Sequence, residues 1–342
     1  MKKTMLILVF LSFTVLLLSS HDKRYQMKKS YLNFQIEKII GVDVPENESD
    51  KNYLFYNIGS VDCDRKGNIY VLDRLGYCVR VFDKYGKFVK RLFKKGKGPN
   101  EISAPQEIKI NKFNNNIYIL QDYGFTIKEF DRNGNFIKIF NLPEQFFNYF
   151  DFISENKVIY VSSLPVSKKN YYFKIVNLKT ERVEESLVPI TYSPSLNTDL
   201  LFFIKNDLIW SVPKKDFYVI AYSIKTGEER RRIKIKGNFK KNEIVRSGVA
   251  LIKFIYNSAV PFFVNNKLYL IVTIRKYNGK TLASIKNPLS IKNYLYIQQG
   301  NEFKKLLYLK NLDFGEVKCI NGRKLYFGFN IPYPHLKIVK IN

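Results

Sequence analysis

The sequence predicts an all-β fold in which six small antiparallel sheets form a ring. Three observations support this prediction: a hairpin signature recurs six times, aromatic residues are abundant at 24 Tyr and 28 Phe, and no segment resembles a linker. The signature is a turn residue followed by an aliphatic and an aromatic residue. Asn and Gly accept the positive φ of tight turns, and the apolar pair suits a half-buried strand. Spacings of about 40 to 60 residues between copies indicate a radial repeat. The six pairs are Ile69–Tyr70, Ile117–Tyr118, Ile159–Tyr160, Ile209–Trp210, Leu268–Tyr269 and Leu325–Tyr326.

The N-terminus has the pattern of a secretory signal. Lys2–Lys3 precede an uncharged apolar run from Met5 to Leu18, and Ser19–Ser20 then offer small residues for cleavage. A membrane span requires about 20 apolar residues, so this shorter run favours a cleaved signal peptide over residues 1–20, and an uncleaved anchor is the alternative. No Cys follows the run, which argues against a lipid-modified N-terminus. We therefore expect an exported protein, periplasmic or extracellular, with no integral membrane span in the mature chain.

The first two repeats define the design of one sheet. Asn68 aligns with Asn116 at an offset of 116 − 68 = 48 residues, and the match continues without a gap to Lys90 and Lys138. Each copy reads as four strands joined by short turns. Such a sheet cannot bury both of its faces alone, so the copies must stack face to face around a common axis.

The remaining repeats follow the same plan. We predict the six sheets over residues 58–93, 105–140, 147–189, 200–235, 259–312 and 317–342. The fifth carries an insertion from Tyr277 to Lys292, and insertions of this kind often lie on a ligand-binding face. The last repeat supplies only three strands, whereas residues 31–40 form a spare strand ahead of the first repeat. Pairing these two segments closes the ring and removes exposed sheet edges.

Several segments resemble a known family. The segment from Asp64 to Asp73, with Val79–Asp83 after it, resembles NHL-type β-propeller repeats. Gly96 to Glu101, followed by Pro105, is similar to the Gly-x-Gly-Pro-Gly-Glu element of secreted six-bladed β-propeller proteins of bacteria, with Asn100 in place of a Gly. The resemblance is close over the first two blades. It implies a six-bladed β-propeller with four-stranded antiparallel blades, and it implies no particular activity.

Carboxylates near strand ends are candidates for a cation site. Gluconolactonase-like propellers hold a divalent cation with Glu, Asn and Asp over the central channel, and that likeness implies four candidates here. Asp also stabilises turns by hydrogen bonding to the local backbone. No paired-carboxylate spacing recurs, so we favour the turn role and predict neither a metal nor another cofactor. The candidates are Asp73, Asp122, Asp62 and Glu107.

Histidine and cysteine are too scarce for a multi-histidine or zinc site. His21 lies at the signal boundary, and His335 is predicted to be a loop residue. Cys63, Cys78 and Cys319 lack the spacing of a metal or redox motif. Cys63 and Cys78 would lie two strands apart, about 10 Å, which is too far for a disulfide. All three cysteines are therefore predicted to be buried small apolar residues.

Charge is the anomaly of the composition. The chain has 57 Lys and Arg against 30 Asp and Glu, a formal net charge of +27. A positive field attracts polyanions, and the clearest patch places Arg230, Arg232, Lys234 and Lys236 on one strand. A solvated, Lys-rich surface explains the same excess, because the lysines are spread over all repeats. Nucleophile elbows, Walker loops and dinucleotide fingerprints are absent.

Two functional hypotheses remain. The favoured one is a monomeric, non-catalytic binding or scaffolding propeller outside the cytoplasm, which holds an unknown protein or polysaccharide partner and no nucleic acid. The alternative is a metal-dependent propeller hydrolase or lyase of the gluconolactonase-like type, with a cation over the channel. The enzyme hypothesis requires three or more acidic or amide side chains at the channel mouth. The candidate binding residues are Asp73, Asp122, Arg230, Arg232, Lys234 and Lys236.

Overall fold

The computed structural model describes residues 33–144, 146–162, 171–189, 202–211, 218–236, 244–247, 250–277, 290–330 and 333–342. The predicted signal peptide and residues 278–289 of the predicted insertion lie outside these ranges. Within them the strands form six blades arranged around one axis, each with four antiparallel strands, so the predicted six-bladed β-propeller is confirmed. Three short 3₁₀ helices are also described, at Glu48–Tyr53, Asp122–Gly124 and Lys310–Leu312.

The first three blades are regular, and their strands are given from the innermost outward. Blade 1 consists of Ile58–Cys63, Ile69–Asp73, Cys78–Phe82 and Phe88–Leu92. Blade 2 consists of Glu107–Ile110, Ile117–Gln121, Thr126–Phe130 and Phe136–Asn141. Blade 3 consists of Phe146–Phe152, Lys157–Ser162, Tyr171–Asn177 and Arg182–Pro189.

The last three blades vary more in strand length. Blade 4 consists of Phe202–Lys205, Leu208–Ser211, Tyr218–Ser223 and Glu229–Ile235. Blade 5 consists of Ala250–Val264, Lys267–Tyr277, Ser290–Gln299 and Glu302–Tyr308, and Ile244–Ser247 pairs with the start of its innermost strand. Blade 6 consists of Glu316–Asn321, Lys324–Phe329, His335–Ile341 and, as its outermost strand, Phe34–Ile40.

The N-terminal strand closes the ring, as predicted. Phe34 pairs with Ile341 and Ile40 pairs with Leu336 in an antiparallel register. Ile40 is buried in the seam between blades 6 and 1. This pairing covers the outer edge of the last hairpin, which would otherwise be open to association with another chain.

Each seam between neighbouring blades contains its own apolar core. Among the described residues, six buried clusters are found, one for each pair of adjacent blades. In the seam that closes the ring, for example, Phe82 of blade 1 shares a cluster with Tyr326 and Ile338 of blade 6. A blade therefore buries both faces only when both neighbours are present, which is why the repeats fold as one unit.

Aspartates at the start of turns set the hairpin geometry of the first two blades. Asp64 Oδ1 accepts hydrogen bonds from the backbone N–H groups of Lys66 and Asn68, both at 2.8 Å. Asp83 and Asp131 make the same pair of contacts in later turns. These are the local turn bonds expected of Asp, and they account for the Asp that recurs three residues before Gly67, Gly86 and Gly134.

The crossover from blade 1 to blade 2 is held by two charged side chains. Glu101 Oε2 accepts from the backbone N–H of Gly98 at 2.8 Å, and a Cβ atom at Gly96 would meet the same carboxylate at 1.9 Å. The buried Lys128 donates to the carbonyl oxygens of Gly98 and Glu101 at 2.6 and 2.8 Å. The Gly-Lys-Gly-Pro-Asn-Glu element is thus the connection between blades 1 and 2, and hydrogen bonds to Glu101 and Lys128 fix its conformation.

Blades 4 and 5 are joined along their outer strands. Lys234 pairs with Glu302 and Ile235 with Phe303 in a short parallel ladder. This ladder merges the two blades into one nine-stranded sheet.

Candidate functional site

The innermost strands of all six blades line a cavity of about 260 Å³ on the propeller axis. Lys112, Lys205 and Gly322 line it from positions in or beside the first turns of their blades, so the cavity reaches the end of the ring that carries those turns. We call this end the turn end. The other lining residues used below are Asp62, Lys109, Tyr149, Asp151, Phe203, Phe262, Phe263 and Cys319.

The strand register explains why these side chains meet. In five blades the residue paired with the recurring aromatic of the second strand lines the cavity. Asp62 pairs with Tyr70, Lys109 with Tyr118, Phe203 with Trp210, Phe262 with Tyr269 and Cys319 with Tyr326. The sequence signature therefore marks one level of the channel in each of these blades.

A buried lysine lies at the centre of the charged part of the cavity. Lys109 Nζ is 3.5 Å from Glu107 Oε1 and 4.0 Å from the centroid of the Tyr149 ring. Asp62 and Asp151 are near enough to interact electrostatically with the same ammonium group. Three carboxylates from three blades thus surround one cation supplied by the chain itself.

Burial changes the acid–base behaviour of this cluster. It raises the pKa of Glu107 to about 7 and also raises the pKa of Asp62, and the Lys109 charge offsets only part of either effect. Burial alone would lower the pKa of Lys109, but Tyr149 and the three carboxylates raise it well above its usual value. Lys109 is therefore a permanent cation at physiological pH.

Asp62 connects three blades. Its carboxylate accepts from the backbone N–H groups of Cys63 and Ile110, both at 2.8 Å, and the Cys319 thiol lies 3.7 Å from Oδ1. A carboxylate held by two backbone donors has little freedom to reorient toward a ligand. Asp62 consequently shapes the wall of the cavity.

The mouth of the cavity combines cations with aromatic rings. Phe203 and Phe263 pack against each other and against Trp210, with ring centroids 5.6 and 5.2 Å from Phe263. Lys205 Nζ lies 4.1 Å from the Phe263 ring centroid. An ammonium group beside an aromatic wall suits a ligand that carries both an anionic group and an apolar body.

The structure places Asp73 inside blade 1, away from the cavity. Its fully buried carboxylate accepts from the backbone N–H groups of Tyr56, Asn57 and Gly76, at 2.9 to 3.0 Å. Arg80 completes the shell with an ion pair at 2.8 Å. A binding role for Asp73 stays a prediction, and these contacts assign its carboxylate a part in folding.

Asp122 also lies outside the axial cavity, in the turn after the second strand of blade 2. Oδ2 accepts from Thr126 Oγ1 at 2.8 Å and from Gln121 Nε2 at 3.1 Å. This turn is at the end of the ring opposite the turn end. Of the four candidate carboxylates, the structure therefore brings Asp62 and Glu107 together and leaves Asp73 and Asp122 apart from them.

The basic strand of blade 4 is largely neutralised by neighbouring carboxylates. Arg230 pairs with Glu228 at 3.1 Å, and Arg232 pairs with Glu229 at 2.6 Å. Lys236 pairs with Glu302 of blade 5 at 2.6 Å, and Lys234 lies between these pairs in the parallel ladder. Polyanion binding by this strand stays a prediction, and a polyanion would compete with these three ion pairs for the basic side chains.

The cysteines are free thiols. Cys63 and Cys78 are buried, as predicted, whereas Cys319 is only partly buried because it lines the axial cavity. Cys319 packs against the seam cluster that contains Cys63.

The predicted loop position of His335 is wrong. His335 begins the third strand of blade 6, its ring is stacked on Phe329 with centroids 4.5 Å apart, and Nδ1 lies 2.9 Å from the Tyr333 carbonyl oxygen. Pro334, directly before His335, favoured the loop prediction because proline is common in loops. A proline is also tolerated where a strand begins, and that is the case here.

We expect His335 to make stability depend on pH. Burial lowers its pKa below the ordinary value of 6.5, so the unfolded chain binds a proton first as the pH falls. Stability should therefore decline as the pH falls through 6.5, and His335→Phe should remove this part of the decline while keeping the stacking. Urea unfolding midpoints at pH 7.5 and 5.5 measure the difference. If the native protein and His335→Phe lose the same stability between pH 7.5 and pH 5.5, the pH dependence does not come from His335.

Among the described residues, no group of three or more His, Cys, Asp or Glu side chains has the geometry of a metal site. The acidic cluster on the axis instead encloses Lys109. In the part of the chain that the structure describes, no helix has the length and apolar character needed to span a membrane.

The fold and the charged axial cavity define the protein as a six-bladed β-propeller. It belongs to the DUF5128 family of six-bladed β-propellers, whose family model matches residues 19–225, more than half of the chain. No curated protein matches the sequence. The NHL likeness is not tested by this match and stays a resemblance.

Two solved structures share the fold. A Bacteroides fragilis protein regarded as exported superposes with a TM-score of 0.60 and 12% identity, over 90% of this chain and 95% of that one. A member of the DUF4221 family from Bacteroides vulgatus superposes with a TM-score of 0.60 and 13% identity, over 92% of this chain and 99% of that one. At such identities the likeness extends to the fold alone.

Proposed function

We propose that the protein is an exported, non-catalytic binding protein that holds a small organic anion in its axial cavity. One observation carries the proposal: the three carboxylates that converge on the axis already surround the ammonium group of Lys109. A metal-dependent propeller enzyme would direct such carboxylates at a divalent cation. Here the ammonium group of Lys109 occupies the place of such a cation, so the three carboxylates and Lys109 stabilise the ring.

The composition of the mouth supports an anionic, partly apolar ligand. Lys112 and Lys205 border the opening, whereas Phe203 and Phe263 form an apolar wall. Pockets that bind small molecules are mostly apolar, with a few polar groups that fix orientation. Export is supported by the apolar run from Met5 to Leu18 and by the Bacteroides fragilis protein of the same fold that is regarded as exported.

The fluorescent anion 1-anilinonaphthalene-8-sulfonate is a suitable probe, because it joins a sulfonate to an aromatic body. We expect one saturable site per chain, and Lys205→Gln should weaken binding by about fivefold to tenfold, since it removes one charge-assisted contact. Lys225→Gln, an exposed lysine in an outer turn of blade 4, is the matched control and should leave the affinity unchanged.

A calcium titration separates this proposal from the enzyme alternative. Calorimetry with CaCl₂ should show no binding to the native protein. Saturable calcium binding that is lost in Asp62→Asn would overturn the proposal and favour a metal-dependent propeller enzyme. Equal probe affinity for the native protein and Lys205→Gln would place the ligand elsewhere.

A further inference from the structure

A second cavity lies between blades 1 and 2, at the turn end of the ring. This groove has a volume of about 440 Å³, within the range of about 300 to 1,000 Å³ that is typical of ligand pockets. Four cationic side chains line it, together with one acidic residue, Asp64. Its cationic residues are Arg65, Lys66, Lys90 and Arg132, and its amide and hydroxyl groups belong to Asn68, Asn115, Asn133 and Tyr70.

The next blade contains the same position with a carboxylate of its own. In blade 1, Tyr70 pairs with Val81, which pairs with Lys90. In blade 2 the equivalent residues are Tyr118, Glu129 and Lys138. The two blades therefore differ at the central position, where an apolar side chain replaces a carboxylate.

In blade 2 this carboxylate satisfies the polar groups around it. Glu129 Oε1 accepts from the Tyr118 hydroxyl at 2.7 Å and from Asn116 Nδ2 at 2.8 Å. In blade 1, Asn68 Nδ2 donates instead to Asp64 at 2.7 Å. Among the residues that the structure describes, none hydrogen bonds to the Tyr70 hydroxyl.

The Tyr70 hydroxyl is a donor at neutral pH. Burial raises the pKa of Tyr70 to about 12, so its proton is retained. Arg132 and Asp64 are both near enough to act on it electrostatically, which places the hydroxyl beside the cationic rim.

The charges of the groove are not internally balanced. Arg65 donates to the Lys112 carbonyl oxygen, and Lys90 donates to the Arg132 carbonyl oxygen at 3.0 Å, so both contacts are with neutral groups. The single acid, Asp64, already accepts from two backbone N–H groups and from Asn68. Blade 1 thus presents an excess of cations at the position where blade 2 carries its own carboxylate.

We propose that the groove between blades 1 and 2 binds a saccharide that carries a uronic acid carboxylate. The sugar carboxylate takes the place that Glu129 holds in blade 2, where it accepts from Tyr70 and pairs with Arg132 and Lys90. The amides of Asn115 and Asn133 then bind sugar hydroxyl groups. This site is separate from the axial cavity, so it does not depend on the function proposed for that cavity.

Calorimetric titration with trigalacturonate tests the proposal, with the neutral sugar maltotriose as the matched probe. We expect trigalacturonate to bind at a 1:1 ratio and maltotriose to bind at least tenfold more weakly. Arg132→Gln should weaken trigalacturonate binding by about fivefold to tenfold, because it removes a charge-assisted contact from an exposed position. Lys138→Gln, the equivalent of Lys90 one blade on, should leave binding unchanged.

The sharper variant is Val81→Glu, which copies the arrangement of blade 2 into blade 1. It should abolish trigalacturonate binding while the circular dichroism spectrum and a cooperative urea transition stay those of a folded protein. If Val81→Glu does not fold, the effect of Arg132→Gln on trigalacturonate binding tests the proposal by itself. Equal binding of the charged and neutral trisaccharides, no binding of either, or unchanged binding by Arg132→Gln would overturn the proposal.

Discussion

Replacing Asp73 with alanine is expected to lower the free energy of unfolding by about 3 to 5 kcal/mol, because the change leaves a buried cation without its partner. Arg80 is almost fully buried, and its guanidinium lies 2.8 Å from the Asp73 carboxylate. The same carboxylate also accepts from three backbone N–H groups, so its removal leaves four donors unsatisfied. Urea unfolding followed by circular dichroism measures the loss.

Two further variants separate charge from hydrogen bonding at this site. Asp73→Asn keeps an acceptor for the backbone and should cost less than the alanine variant. Combining it with Arg80→Met removes both charges, so the double variant should be more stable than the sum of the single changes implies. The exposed pair of Lys51 and Glu48 is the control, and Lys51→Ala should cost less than about 1 kcal/mol.

The outcome bears on the sequence-based hypothesis that Asp73 binds a ligand. A loss of less than 1 kcal/mol for Asp73→Ala would contradict the structural role. A large loss of stability with unchanged affinity of Asp73→Asn for the axial probe would confine the residue to folding.

Local chemistry made the architecture predictable. Each aliphatic–aromatic pair is a buried strand core, and Asp before Gly marks turns whose bonds involve residues four apart. Ring closure was also predictable, because a three-stranded last repeat leaves an edge that the spare N-terminal strand can cover.

The channel was harder to predict, because it depends on register. The gapless sequence alignment of the first two repeats aligns Asp62 with Ile110. However, the first turn of blade 1 has five residues between the paired Cys63 and Ile69, whereas the first turn of blade 2 has six between the paired Ile110 and Ile117. This one-residue difference brings Lys109 to the level of Asp62. In blade 3 a bulge between Phe146 and Phe150 shifts the strand and presents Tyr149 and Asp151 to the cavity.

Contacts between distant segments left no local signal. The parallel ladder at Lys234 and Glu302 joins strands whose pairing residues are 68 positions apart (302 − 234), and neither strand differs in pattern from an ordinary outer strand. Glu302 neutralises Lys236 through this ladder, so the strength of the basic patch could be judged only from the fold.

Lys109→Met is expected to cost about 3 to 5 kcal/mol at pH 8, because it leaves the carboxylates around the axis without their cation. Methionine fills much of the same volume, so the loss reflects charge more than packing. Lys112→Met, at an exposed position on the mouth of the same cavity, is the matched control and should cost less than about 1 kcal/mol.

The pH dependence of this loss distinguishes an electrostatic role from a packing role. Burial already raises the pKa of Glu107 to about 7, and losing the Lys109 charge raises it further. A carboxyl whose pKa is raised on folding contributes stability below its unfolded pKa and loses that contribution as the pH rises through the folded value. The deficit of Lys109→Met should therefore grow between pH 5 and pH 8. A deficit that stays constant over this range would mean that Lys109 contributes through packing, and the axial carboxylates would then be available for a ligand cation.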